Sequence, residues 1–99
     1  MSKGRGIPKF AHRRDGNERE IKQALEAIGF QAIQLSAKGL PDLIVNGNNQ
    51  LGISDSWFME VKSEKGSLTD AQQETLANWQ GKPIHVVRSI EEALHIVGF

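Results

Sequence analysis

The chain contains no cysteine, and this absence constrains its fold more than any residue present. Disulfide staples, thiolate zinc sites and thiol nucleophiles are excluded, so all 99 residues must be held together by burying apolar side chains. A chain of this length makes one small domain. It should bury roughly 65% of the surface its unfolded form exposes, enough for one modest core. The N-terminal segment carries positive charge with no apolar stretch behind it, which does not read as a secretory signal. Apolar runs such as Leu43-Ile44-Val45 fall far short of the roughly 20 residues that cross a bilayer. The expectation is a cytoplasmic protein of a bacterial or phage-infected cell, with no membrane association.

Twelve basic residues balance twelve acidic ones, but their distribution is uneven. Residues 1–22 hold seven basic and three acidic side chains, and the remaining 77 hold five and nine. Residues 1–14 therefore read as a basic arm ahead of a domain spanning 15–99. Lys3, Arg5, Lys9, Arg13 and Arg14 are candidate phosphate contacts, since neutralising phosphates supplies most non-specific affinity for nucleic acid. A solvated terminus explains the same residues equally well.

Ile21, Leu25 and Ile28 recur at helical spacing after the capping side chains of Asp15-Gly16-Asn17, and Gly29 follows. This predicts a helix over 17–28. Phe30 to Leu35 and Asp42 to Val45 read as strands, the second running into the turn signal Asn46-Gly47-Asn48-Asn49. After an irregular stretch over 51–56, Trp57 to Lys62 alternates as a third strand. Thr69 and Gln72 have the form of a capping box opening a helix over 70–80, with Ala71, Leu76 and Trp79 as its apolar stripe. Pro83 leads into a strand over 84–87, and Ser89 with Glu92 opens a last helix. Three consecutive strands followed by a crossover return predict an α/β fold, a mixed sheet flanked by helices.

Charged residues at strand positions carry the chemical information, because charge there is costly unless used or solvated. Glu60 and Lys62 lie two apart and share a face, and Asp42 can sit beside Glu60 if the strands pair as a hairpin. Two carboxylates in such proximity are tolerated when a hard cation, Mg2+ or Mn2+, lies between them. A lysine at the edge of that site can hold an attacking water and neutralise charge on a phosphoryl oxygen. Taken alone, Glu60 and Lys62 read as an ordinary surface ion pair. His85 and His95 belong to no metal-spaced pair and read as structural, and Trp57 and Trp79 could stack on bases but read by default as packing residues.

The ordered set Gly39-Leu40-Pro41-Asp42-Leu43-Ile44-Val45, Phe58-Met59-Glu60-Val61-Lys62-Ser63 and Leu68-Thr69-Asp70-Ala71-Gln72 resembles the PD-(D/E)XK nuclease superfamily, and within it the VRR-NUC family. The resemblance covers roughly residues 17–88. It implies a restriction-endonuclease-like αβββαβ core and a metal-dependent DNA endonuclease without an organic cofactor. Asp42, Glu60 and the Val61 carbonyl would bind metal, Lys62 would be the catalytic lysine, and Gln72 would reach back from its helix.

The family's first-helix glutamate corresponds to Glu18 or Glu20. Glu18 is preferred because Glu18-Arg19-Glu20-Ile21 resembles the Glu-Arg-Glu-Leu of archaeal Holliday-junction resolvases, and because Glu18 extends the Ile21/Leu25 stripe. The lesser alternative for Glu18 is a favourable charge in the first helical turn. Gln72 has a competing role as partner of Thr69, with Gln73 as the adjacent alternative, and Lys38 is a loop contact for phosphate. The expected substrate is branched DNA, cut by a homodimeric Holliday-junction resolvase. The alternatives are a flap- or nick-directed repair endonuclease and a non-catalytic DNA-binding module.

Overall fold

Ile21 and Leu25 are completely inaccessible to solvent, and they fix the face that helix α1 (Gly16–Ala27) presents to the sheet. The helix ends where Gly29 adopts φ +98°, a left-handed conformation that costs a glycine little. Ile28, expected on the buried stripe, falls in this turn and is exposed. The computed structural model describes residues 16–99, so the basic arm and the capping residue Asp15 lie outside the described residues.

After α1 come β1 (Gln31–Gln34), β2 (Leu43–Asn48), β3 (Ser54–Val61), α2 (Asp70–Asn78), β4 (Ile84–Val87) and α3 (Ile90–Ile96). The strands lie side by side in chain order, with β1, β2 and β3 antiparallel and β4 parallel to β3. The α/β class and the mixed sheet are therefore as expected, α2 supplying the crossover that a parallel return requires.

The period-2 alternation of the strands sorts their residues between two unequal faces. Ala32, Leu43, Val45, Met59, Val61 and Val87 point to one side, where α1 and α3 cover them with Ile21, Leu25, Ala93 and Val97. That side is the core. The other side carries Phe58 and Glu60 beneath α2. Trp79 meets Phe58 edge to face at 5.3 Å, yet no residue of α2 is fully buried. The stripe expected on α2 is thus a half-buried seam, with Ala71 outside it. Trp57 packs against Phe30 at 5.8 Å, so both tryptophans are packing residues.

The β2–β3 hairpin turns later than its sequence suggests. Asn46, Gly47 and Asn48 stay in the ladder opposite Ser56, Asp55 and Ser54, and the reversal occurs at Asn49–Ile53. Side-chain bonds make these polar residues competent strand formers. Ser56 Oγ donates to Asn46 Oδ1 and Ser54 Oγ to Asn48 Oδ1, both at 2.6 Å. Asn49 Oδ1 then accepts from the N–H groups of Leu51 and Ile53, closing the turn. Gly47 serves packing: a Cβ there would lie 2.5 Å from the Phe30 ring. Gly47→Ala is expected to destabilise the fold by about 1–3 kcal/mol through overpacking, measurable by urea denaturation.

Candidate active site

The register that pairs Leu43 with Met59 brings Asp42, one residue earlier, opposite Glu60 at the mouth of the β2–β3 ladder. Asp42 Oδ2 accepts the backbone N–H of Val61 at 2.8 Å, which orients the carboxylate across the strands. Glu60 is only 6% exposed. Burial pushes its carboxyl up to about 7, reinforced by the negative charge of Asp42 and a hydrogen bond with it. Lys62 pulls in the opposite direction, and Glu18 adds a weaker upward push.

Gln72 fills both of the roles weighed for it. Its Oε1 accepts the Thr69 N–H at 2.9 Å while Thr69 Oγ1 accepts the Gln72 N–H at 3.1 Å, completing the capping box. Its Nε2 donates to Glu60 Oε2 at 2.7 Å. The two ends of one amide thus start α2 and hold Glu60. Gln73 is instead turned to the Leu68 carbonyl.

Lys62 follows β3, and its N–H donates to the Val87 carbonyl at 3.0 Å, so the parallel ladder continues beneath it. Strand parity sets its side chain on the Glu60 face. The start of α1 is tied to the same place: Asn17 Nδ2 donates to the carbonyls of Lys62 at 2.7 Å and Arg88 at 3.3 Å. Asn17 was read as a capping side chain. Its amide instead joins α1 to the ends of β3 and β4, and its buried Oδ1 has no hydrogen-bond partner among the described residues.

Glu18 is 2% exposed and turned inward, whereas Glu20 is exposed. Gln34 Nε2 donates to Glu18 Oε2 at 3.0 Å. Neither Gln34 nor the long-range role of Asn17 emerged from the sequence. A signal for Gln34 existed, since it is a polar residue in step with Phe30 and Ala32 on an otherwise apolar face.

A cleft of about 530 Å³ opens beside Asp42 and Glu60, walled by the loop bearing Lys38 and Leu40 and by Gln72 and Leu76 of α2. Lys38 therefore stands on the wall of the site. Lys3, Arg5, Lys9, Arg13 and Arg14 lie outside the described residues. Among the described residues no three His, Asp or Glu side chains form a complete metal-binding group. The Asp42/Glu60 pair nevertheless suits a divalent cation, because two neighbouring carboxylates, one displaced to about 7, need either a shared proton or a positive ion.

The displacement has a consequence for stability. Glu60 binds its proton more tightly in the folded than in the unfolded chain. The stabilisation is complete below the ordinary value of 4.5 and is lost as pH rises through about 7. Thermal melts of metal-free protein in EDTA are expected to move down between about pH 5 and about pH 8, and Glu60→Gln to flatten the profile. An unchanged wild-type melting temperature across that interval would contradict the pairing.

No helix among the described residues is long and apolar enough to cross a membrane. No curated protein matches the chain. A solved structure described as a VRR_NUC domain is 28% identical, covering 81% of this chain and 88% of that one, with a TM-score of 0.55. The family model for the VRR-NUC domain matches residues 8–89, spanning Asp42, Glu60, Lys62 and Gln72. With most of its length matched and the mixed sheet in place beneath these residues, the chain belongs to the VRR-NUC domain family, whose function is of the nuclease type.

Proposed function

We propose that the protein is an Mg2+- or Mn2+-dependent, structure-specific DNA endonuclease that acts as a dimeric Holliday-junction resolvase. The observation that carries the reading is the Asp42/Glu60 carboxylate pair with Lys62 beside it, at the wall of an open cleft. Asp42, Glu60 and the Val61 carbonyl would hold the cation, with Glu18, the weakest charge acting on Glu60, reaching it through water. Bound there, it supplies Lewis acidity and lowers the pKa of a water.

The remaining work belongs to the chain. The Lys62 ammonium orients the attacking water and donates to the phosphoryl oxygen as charge builds on it. Gln72 keeps the Glu60 carboxylate facing the cleft, and Lys38 holds a neighbouring phosphate. Water oxygen bonds to phosphorus and gives up a proton to bulk water, the phosphorus–oxygen bond to the leaving strand breaks, and the departing oxygen takes up a proton from bulk water. A two-fold dimer presents two such sites to the symmetric strands of a four-way junction. The basic arm adds phosphate contacts that place the DNA without reading its sequence.

The test incubates purified protein with labelled four-way junction, 5′ flap, splayed arm and linear duplex, each with Mg2+, Mn2+ or EDTA. Paired symmetric nicks on the junction, abolished by EDTA and made by a species of twice the chain mass, are expected. Preferential flap cutting by a monomer would replace the resolvase with a flap-directed nuclease. Metal-independent binding with no cutting would leave a DNA-binding module.

A further inference from the structure

Asn17 ties the start of α1 to the end of β3, which brings the neighbouring Glu18 to the same end of the sheet as Asp42 and Glu60, and each of these carboxylates accepts a hydrogen bond from an uncharged donor on another residue. Asp42 accepts from the Val61 N–H, Glu60 from the Gln72 amide, and Glu18 from Gln34 Nε2 at 3.0 Å. We propose that Gln34 is a positioning residue that sets the Glu18 carboxylate toward the cation site of Asp42 and Glu60, as Gln72 does for Glu60. The inference rests on the proposed metal-dependent reading of the site.

Placement supports it. Gln34 ends β1 opposite Leu43, the neighbour of Asp42, and the next residue ties the strands together again, Leu35 N–H donating to the Asp42 carbonyl at 2.8 Å. Gln34 is therefore anchored to the strand that leads from Asp42, and its side chain crosses to α1. That bond transmits the position of β2 to a carboxylate on a different element. Glu18 is buried, where a carboxylate needs donors, while Gln34 itself is exposed and adds little to the core.

The chemistry of the donor matters as much as its position. An amide fixes the direction of a carboxylate and leaves its negative charge in place for a divalent ion. A lysine at the same point would hold Glu18 equally well and cancel that charge. Neutral donors around metal-directed carboxylates are what a cation site needs from its surroundings, and their removal typically costs 10–100-fold in affinity.

The test measures Mn2+ binding by calorimetry without DNA, together with the Mn2+ dependence of junction cutting, for wild type, Gln34→Leu, Gln34→Lys and Glu18→Gln. Gln34→Leu is expected to weaken Mn2+ binding about tenfold or more, with Gln34→Lys weaker still. Its metal-free melting temperature should fall, because buried Glu18 loses a donor, while saturating Mn2+ should recover most of the cutting rate. Gln34→Leu added to Glu18→Gln should have no further effect. Gln34→Thr, favoured on a strand, replaces the Leu variant if that one aggregates. Unchanged Mn2+ affinity in Gln34→Leu, beside a weakened Glu18→Gln, overturns the role of Gln34 alone. Wild-type protein that neither binds Mn2+ nor cuts overturns the metal-dependent function beneath it.

Discussion

Lys62→Ala is expected to yield a folded, DNA-binding protein whose junction cutting falls by about 10²–10³-fold or more, the loss typical when a donor aimed at developing transition-state charge is removed. The fold should survive because the structural tie at this position is made by the backbone. The Lys62 N–H donates to Val87 and the Lys62 carbonyl accepts from Asn17, and both bonds remain when the side chain is shortened. Lys62→Arg should recover little, since a planar guanidinium cannot place one donor where an ammonium did. Gel-resolved single-turnover cleavage, beside a binding titration in Ca2+, separates the lost chemical step from lost binding. Full activity in Lys62→Ala would remove the lysine from the mechanism.

Asp42→Asn is expected to act in two opposite directions. The asparagine carbonyl can still accept the Val61 N–H, so the hairpin is preserved, while the repulsion that helps hold Glu60 near 7 disappears. At pH 8 in EDTA the variant should be more stable than wild type by about 1–2 kcal/mol, on the scale of 1.36 kcal/mol for each pKa unit relieved. Its cutting should be abolished, because half of the carboxylate pair is gone. A gain in stability joined to loss of activity is the signature of a site whose strain is kept for function. Loss of both would identify Asp42 as a structural residue of the β2–β3 ladder.

Much of this was legible in the chain. The alternation of Met59, Glu60, Val61 and Lys62 placed charge and core on opposite faces because a strand has a fixed period, and the structure keeps that division. Glu18, in step with Ile21 and Leu25, was legible as the inward glutamate of α1 for the same kind of reason, and it is buried with them. The hairpin was misplaced because Asn46-Gly47-Asn48 carries strong local turn chemistry, which cross-strand partners and the Phe30 ring override. The reach of Asn17 was illegible for a deeper reason. Asn17 lies 45 residues from Lys62 and 71 from Arg88, and no local period encodes such a bond.

The uneven covering of the sheet has a kinetic meaning. Asp42 and Glu60 ride on central strands backed by the sealed side of the sheet, whereas Gln72 rides on a nine-residue helix with no fully buried residue. Amide hydrogen exchange follows local opening, so α2 should exchange well before α1 or β3. The grip on Glu60 is thus carried by the part of the protein that opens first, and the cation platform by the part that opens last. A DNA strand seated against α2 would slow its exchange and tighten that grip, so that the wall of the site becomes fully ordered only when substrate is there to be cut.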